Sequence, residues 1–350
     1  MSRAIQHLSE TPLALEPIPT PWLEWIARNL LRGVAEPDLV AGMMESGFSQ
    51  DSALAAVRDI AASPILAGAT PMARRLRNIE AMLDVRLSLA NQRPEAPTVD
   101  RRHGLGADDF HALYYARNQP VVITDAFAPF APYSQWTFDT LRDRFGDEMV
   151  ELQANRKTEP VYEVFLKGHT LKMRFAEFID RVQAGGESNE FYLTANDRLF
   201  ENPAFAALLD DIRPFPPYFT QEPYDGRQFL WMGAKGCVSP LHRDRLNVFM
   251  IQVRGRKRVL LIDSTSTHVM YNFESFFSEV DAEDPDFDRF PDFGQARILD
   301  VTLEAGEALF IPANWWHHVR ALKPSLNLTL TNFVFPNDFE AIFDRGLALG

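Results

Sequence analysis

Residues 239–244 have the sequence Ser-Pro-Leu-His-Arg-Asp (SPLHRD), which contains an H-x-D pair. Successive side chains of a β-strand point to opposite faces, so His242 and Asp244 share one face if the segment is extended. An imidazole and a carboxylate placed in this way can bind one metal ion. The pair alone is a weak indication, because a chain with eight histidines often contains an H-x-D by chance.

A third ligand of the right type occurs in residues 312–318, PANWWHH, after a predicted turn and a predicted strand. Two histidines and one carboxylate form the facial triad of non-haem Fe(II) oxygenases, which leaves coordination positions open. Zinc would favour a closed tetrahedral site, or three ligands plus water. Only one of His317 and His318 can face inward if the segment is extended, and the spacing leaves that choice open.

The composition limits the function classes. The chain has 350 residues, which suggests about two domains. Its net charge of −13 makes nucleic acid and anionic membranes unexpected partners, because both attract basic surfaces. A single cysteine, Cys237, excludes a disulfide framework and a Cys-rich metal site. With neither a signal-like start nor an apolar run of membrane-spanning length, the expectation is a cytoplasmic protein.

The N-terminal part of the chain has the apolar spacing of helices and contains no predicted strand. Helices are predicted from Pro21, over Asp38–Glu45, over Gln50–Ile60 and over Met72–Leu89, followed by a polar, proline-bearing linker at 91–102. We therefore expect a helical N-terminal domain and linker over 1–100 and a second domain over 101–350.

The second domain contains short β-branched and apolar runs separated by turn signals, which indicate a sandwich or barrel of antiparallel strands. Strands are predicted at Pro120–Thr124, Phe191–Thr194, Gln228–Met232, Val248–Val253, Arg258–Ile262, Arg297–Leu303, Ala308–Ile311 and Leu326–Phe335. Helices are predicted between the earlier strands, at Thr137–Phe145, Arg174–Val182 and Pro203–Leu209.

From Pro120 to Phe335 the sequence resembles the JmjC-type, cupin-fold 2-oxoglutarate oxygenases. Within them it is most similar to the branch of the asparaginyl hydroxylase that inhibits hypoxia-inducible factor. Besides SPLHRD, the matching segments are PVVITDAF (120–127), WTFDTLRDRF (136–145), VRGRKRVLLI (253–262), VDAEDPDFDRFPDF (280–293), IPANWWHHV (311–319) and LTNFVF (330–335). The resemblance implies a mainly β fold with flanking helices: a double-stranded β-helix (cupin, or jelly-roll) core, here preceded by a small all-α domain.

The resemblance also implies roles for individual residues. It assigns His242, Asp244 and His317 to catalytic iron, with His318 as the second choice. It assigns Lys257 to the distal carboxylate of 2-oxoglutarate, and Tyr192, Ser239 and Asn332 to the same co-substrate. A fixed cation with hydroxyl donors suits a dianionic ligand, because charge-assisted hydrogen bonds are stronger than neutral ones. Asn247 lies one residue closer to the H-x-D than in that branch and is given no role.

The function implied is a dioxygenase that uses Fe(II), O₂ and 2-oxoglutarate to hydroxylate a peptide or protein side chain. Three alternatives remain open from the sequence: a small-molecule hydroxylase, an N-demethylase, and a non-catalytic metal-binding cupin that acts as an interaction module. A homodimer is also possible, although the short segment 337–349 leaves little room for the C-terminal helices through which the hypoxia-factor hydroxylase dimerises.

Overall fold

The computed structural model describes residues 17–94, 98–125, 132–156, 169–222, 226–274 and 276–344. The chain divides into two compact units, Met1–Val85 and Arg86–Gly350. The expected boundary, after residue 100, lies further along the chain than this division. Each unit has a hydrophobic core of its own.

Unit 1 contains the predicted N-terminal helices. Their bounds are α1 Thr20–Arg32, α2 Glu36–Glu45 and α3 Gln50–Ala61. Gly33, in the left-handed region at φ 88°, ends α1, and the Ser49 side chain accepts the Ser52 N–H at the start of α3. The three helices bury Ile26, Leu39, Met43 and Val57 against one another.

The fourth helix differs from the prediction. It was expected to begin at Met72, but α4 runs over Pro64–Asn91 and contains Pro71. Proline removes one backbone donor from a helix and does not always end it. The Thr70 hydroxyl, just before Pro71, donates to the Leu66 carbonyl at 2.7 Å. No single helix of the described residues is long and apolar enough to cross a membrane, and one bent pair, Gln50–Ala61 with Pro64–Asn91, meets the length and composition test only jointly.

Unit 2 is built on β-strands: β1 Asp100–Arg102, β2 Val121–Ile123, β3 Met149–Gln153, β4 Thr170–Arg174, β5 Tyr192–Leu193, β6 Gln228–Gly233, β7 Val238–Arg243, β8 Val248–Arg254, β9 Arg256–Ile262, β10 Asn272–Glu274, β11 Phe277–Ser278, β12 Ile298–Glu304, β13 Ala308–Ile311, β14 Trp316–Ala321 and β15 Ser325–Leu330. Its helices are α5 Ala107–Phe110, α6 Pro132–Gln135, α7 Phe138–Phe145, α8 Phe175–Gln183, α9 Pro203–Ala206, α10 Leu208–Asp211 and α11 Glu340–Asp344. A π-helical turn, His111–Tyr115, continues α5.

The strands form two sheets. The larger has the order β1-β2-β13-β8-β15-β6-β5-β3-β4, and the smaller has the order β10-β11-β7-β14-β9-β12. From β6 to β9, and again from β12 to β15, the chain passes repeatedly between the sheets. This alternation is the double-stranded β-helix, and it confirms the predicted fold class.

Side-chain alternation separates the interior of the barrel from its two outer faces. Val259, Leu261 and Val319 of the smaller sheet pack with Met250 and Leu309 of the larger one. On the outer face of the smaller sheet, Leu260, Ile262 and Trp316 pack under Val280, Phe290 and Phe293. The segment 280–293, which had no obvious chemical role in the sequence, therefore covers that face.

The sequence analysis missed five strands: β1, β3, β4 and the short β10 and β11 of the smaller sheet. β1 lies in the predicted linker and pairs in parallel with β2, although all three of its side chains are exposed and give no apolar pattern. β3 and β4 pair with each other at the edge of the larger sheet. Polar edge strands carry a weak hydrophobic signal, because only part of each strand is buried.

Candidate metal centre

His242 and His317 lie directly opposite each other on neighbouring strands, β7 and β14. Their ring centroids are 4.1 Å apart. Asp244 follows the end of β7, and its Oδ2 atom lies 3.6 Å from Nε2 of His317. The three side chains each offer a ligand atom, and these atoms lie within 4.8 Å of one another. The strand register thus brings together residues that are 73 to 75 positions apart.

Backbone hydrogen bonds orient both imidazole rings. Nδ1 of His242 lies 2.7 Å from the Pro240 carbonyl, and Nδ1 of His317 lies 3.0 Å from the Trp315 carbonyl. A carbonyl can only accept, so each Nδ1 carries a hydrogen and each Nε2 keeps its lone pair. Rings held in this way present Nε2 as a metal ligand.

The surroundings favour the uncharged ligand form of His317. Burial and, after it, the nearby His242 lower the pKa of His317 to about 4, and the opposing effect of Asp244 is smaller than that of either. A neutral imidazole is the form that binds a metal ion. His317 is only 4% exposed, whereas the Asp244 side chain is 42% exposed. The cluster therefore has a buried side and a side open to solvent.

His318 lies on the opposite face of β14 from His317. Its Nε2 atom is 3.3 Å from Oε2 of Glu283, in the segment that covers the outer face of the smaller sheet. Arg320 donates to the same carboxylate. These contacts lower the pKa of Glu283 to about 2, chiefly through the hydrogen bond from His318. The structure groups His317, and not His318, with His242 and Asp244.

A bulge in β7 places Ser239 on the same face as His242. His317 and Val319 share one face of β14. His242 pairs with His317, and Ser239 pairs with Val319. Three steps along a strand normally reverse the face, so the register shift at Pro240–Leu241 restores it. Ser239 is buried at this position.

Lys257 lies on the same inner face, further along the barrel. On β9, Leu261 stands opposite His317, and Lys257 stands opposite Ala321, four residues along β14. The Lys257 side chain is 1% exposed. Its Nζ atom donates to Oη of Tyr192 at 2.9 Å and to Oδ1 of Asn327. Strands β5, β9 and β15 thus each supply one residue to this polar cluster.

The ammonium group of Lys257 has neutral acceptors. A fully buried lysine normally has an anionic partner, but no carboxylate of the described residues pairs with Lys257. Burial lowers the pKa of Lys257 to about 7. The pocket therefore offers a cation whose charge no described side chain balances, which suits an anionic ligand.

A second buried cation, Arg156, lies against the same tyrosine. Its guanidinium carbon is 4.9 Å from the centroid of the Tyr192 ring. It donates to the carbonyl of Val238 and to the side chain of Gln153. The sequence analysis missed Arg156, because it follows β3, a strand that was not predicted, and belongs to no recognisable motif.

Asn332 does not contact Lys257. Its Nδ2 atom donates to the Thr220 carbonyl at 3.2 Å, and its own carbonyl accepts the Thr220 N–H. Asn327, five residues earlier, is the asparagine that contacts the lysine. Its signal was present in the alternation LNLTLT of β15, where the leucines pack outward and the polar residues face the barrel interior.

Asn247, which the sequence analysis left without a role, connects the loops that carry the ligands. Its Oδ1 atom accepts the Ala313 N–H at 2.8 Å, while its backbone N–H and carbonyl bond the side chain of Asn337. The Asn314 N–H donates to the carbonyl of Asp244 at 2.7 Å. The loop after Asp244 is thus fixed to the loop before His317.

Comparisons with known proteins agree with this architecture. A family model described as a cupin-like domain matches residues 107–340. The relatives include lysine-specific demethylase 8 of Danio rerio, 31% identical over 242 residues, or 66% of this chain and 57% of the relative. The tRNA wybutosine-synthesizing protein 5 of Mus musculus is 27% identical over 66% of this chain and 75% of its own length.

A third relative, JmjC domain-containing protein D of Dictyostelium discoideum, is 39% identical over 28% of this chain and 23% of its own length. The chain spans little more than half the length of the lysine-specific demethylases that it matches, from 52% to 57%.

Proposed function

This chain belongs to the cupin-like domain family of JmjC-type proteins, and on that basis we propose that it is an Fe(II)- and 2-oxoglutarate-dependent dioxygenase. We further propose that it hydroxylates a side chain of a peptide or protein. His242, Asp244 and His317 would hold the iron, and Lys257 with Tyr192 would hold the distal carboxylate of 2-oxoglutarate.

One observation carries this proposal: a facial group of two histidines and a carboxylate shares its inner barrel face with a buried, uncompensated lysine. The donor set suits Fe(II), because three protein ligands leave positions for the keto acid and O₂. The lysine suits a second carboxylate on the same molecule. A metal-binding module without catalysis has no need of such a cation, so the combination favours the enzyme.

The iron and 2-oxoglutarate, when bound, would activate O₂, which is the oxidant for attack on an unactivated C–H bond. The protein's residues contribute binding and orientation. The carbonyls of Pro240 and Trp315 hold the two imidazoles with Nε2 toward the metal position. Lys257 and Tyr192 supply a charged and a neutral hydrogen-bonding group at the far end of the pocket. The exposed side of Asp244 marks where a substrate could approach.

The substrate class is the less constrained part of the proposal. The resemblance to a protein-side-chain hydroxylase makes a peptidyl substrate the first choice. A relative named as a lysine-specific demethylase makes an N-methyl-lysine peptide the second, because hydroxylation of an N-methyl carbon leads to demethylation. Another relative is named for tRNA wybutosine synthesis; the net charge of −13 weighs against a tRNA substrate here.

The direct test is the release of succinate from 2-oxoglutarate by purified protein with Fe(II) and ascorbate under air. Asp244→Ala is the matched control, because it removes one metal ligand from the open side of the site. We expect slow uncoupled succinate release from the wild type and none above background from the variant. A wild-type protein that binds neither Mn(II) nor 2-oxoglutarate would contradict the proposal, and one that binds Mn(II) without 2-oxoglutarate would favour the non-catalytic metal-binding module.

A substrate screen follows from the same assay. Peptide pools with and without N-methyl-lysine, metabolite pools and total tRNA would each be added, and both stimulated succinate release and mass changes would be recorded. A gain of 16 Da on a peptide identifies a hydroxylase, a loss of 14 Da identifies a demethylase, and a response only to tRNA or metabolites would refute the peptidyl choice.

A further inference from the structure

We propose that Asn327 is a positioning residue for Lys257. Its uncharged amide oxygen holds the ammonium group in place and leaves the positive charge of Lys257 available to bind a dicarboxylate. The inference rests on the proposed function and deepens it, because it names the residue that sets the charge requirement of the co-substrate pocket. Neither the family resemblance nor the spacing of motifs pointed to this residue.

The geometry of the contact supports a positioning role. Asn327 is 2% exposed, and its Oδ1 atom accepts from Nζ of Lys257. Lys257 belongs to the smaller sheet and Asn327 to the larger one, so the hydrogen bond crosses the interior of the barrel. A lysine side chain has four rotatable methylene groups and loses much rotamer freedom when it is fixed. The contacts with Asn327 and Tyr192 fix the ammonium group before a ligand arrives.

The type of acceptor matters as much as its position. An aspartate has nearly the same shape as an asparagine and would form a buried ion pair with Lys257. Such a pair would cancel the positive charge, and an entering dianion would meet a carboxylate at hydrogen-bonding distance from its own binding site. An amide oxygen satisfies one donor of the ammonium without cancelling its charge. Tyr192 does the same with a hydroxyl group.

The neighbours of Asn327 belong to the same inner face of the larger sheet. In the register of the larger sheet, Asn327 stands between Trp231 on β6 and Gln252 on β8. The Trp231 ring is 5.8 Å from that of Tyr192, centroid to centroid. Asn327 is thus the middle residue of a row on the inner face of the larger sheet, and it reaches Lys257 from that face.

The test compares two shape-conserving variants, Asn327→Asp and Asn327→Leu, with the wild type. Asn196→Asp is the matched control: it makes the same chemical change at an exposed position of the same unit. Mn(II) binding is measured first, by the metal-induced rise in melting temperature. The dissociation constant of 2-oxoglutarate is then measured calorimetrically on the Mn(II)-loaded proteins. Neither readout depends on turnover.

If Asn327 leaves the positive charge of Lys257 unneutralised, Asn327→Asp weakens 2-oxoglutarate binding at least 100-fold and leaves Mn(II) binding unchanged. Asn327→Leu, which removes the acceptor and adds no charge, weakens it by about threefold to tenfold, because one hydrogen bond to a charged group is lost. Asn196→Asp binds like the wild type. This order, with Asp far more harmful than Leu, is not expected of a residue that serves packing alone.

Equal 2-oxoglutarate affinity of Asn327→Asp and the wild type would overturn the role of Asn327 and leave the oxygenase intact. So would a larger loss for Leu than for Asp. A wild-type protein that binds Mn(II) and no 2-oxoglutarate would overturn both the role and the proposed function. If Asn327→Asp does not fold, the Leu variant decides: unchanged affinity contradicts the role, and a threefold to tenfold loss supports it.

Discussion

Nε2 of His318 lies 3.3 Å from Oε2 of Glu283, on the face of β14 opposite the metal ligands. His317, the preceding residue, faces Asp244 at 3.6 Å. Two adjacent histidines therefore serve different purposes. One belongs to the candidate metal centre, and the other anchors the 280–293 segment to the outside of the smaller sheet.

Substitution of the two histidines should separate these purposes. We expect His317→Ala to abolish the rise in melting temperature that Mn(II) causes, because a ligand stabilises only the state that binds it. His318→Ala should keep that rise and lower the melting temperature of the metal-free protein, because Glu283 loses the imidazole that lowers its pKa most. Retained metal stabilisation in His317→Ala, with loss in His318→Ala, would reverse the assignment.

Glu283 should contribute stability that depends on pH. Its pKa is held at about 2, below the usual 4.5, so the folded state favours the charged form. This stabilisation is fully present above pH 4.5 and is lost as the pH falls toward 2. Glu283→Gln should lower the free energy of unfolding by about 2–4 kcal/mol at pH 7. Urea titrations at pH 7 and near pH 2.5 measure the difference; a constant difference would contradict this account.

Binding of 2-oxoglutarate should weaken as the pH rises above 7. Burial lowers the pKa of Lys257 to about 7 in the ligand-free protein, although the nearby Cys237 acts in the opposite direction. Tyr192 and Asn327 accept hydrogen bonds from Lys257, and Arg156 lies against the Tyr192 ring. A dianion requires the charged lysine, so at higher pH each binding event takes up one proton.

The expected change is an increase in the dissociation constant of up to about tenfold per pH unit between pH 7 and 9. Calorimetry in HEPES and in Tris, whose ionisation enthalpies differ, would report the proton uptake directly. Lys257→Arg is the matched control, because a guanidinium stays charged over this range and should give a flat profile. A flat profile for the wild type would show that Lys257 is charged before the ligand binds.

Gly233 should be important for the position of Tyr192. A Cβ atom at residue 233 would lie 2.6 Å from Sγ of Cys237 and 2.8 Å from a ring carbon of Tyr192. We expect Gly233→Ala to displace the tyrosine and to weaken 2-oxoglutarate binding several-fold, with Mn(II) binding unchanged. Gly68→Ala is the control, since nothing lies within 4 Å of its Cβ and alanine favours a helix. Unaltered affinity in Gly233→Ala would show that the tyrosine position tolerates the shift.

The local sequence was sufficient to predict a sandwich or barrel of antiparallel strands and the two ligand segments, and the family resemblance specified the double-stranded β-helix. Strand periodicity placed His242 and Asp244 together, and apolar runs located most of the barrel strands. The same periodicity put Lys257 on one face with Val259 and Leu261, which the structure places inside the barrel. These properties depend on residues close together in one strand, and alternate residues of a strand share a face, so the sequence is enough to predict them.

Other features of the site depend on which strands meet and in what register. Strand spacing left the choice between His317 and His318 open, and the family resemblance favoured His317; the pairing of β14 with β7 gives the physical reason. The inward position of Ser239 follows from a bulge that no local pattern announces. Asn327 reaches Lys257, and Arg156 reaches Tyr192, across different sheets or distant segments. Contacts of this kind are fixed by packing between elements far apart in the chain, so they became visible in the folded molecule alone.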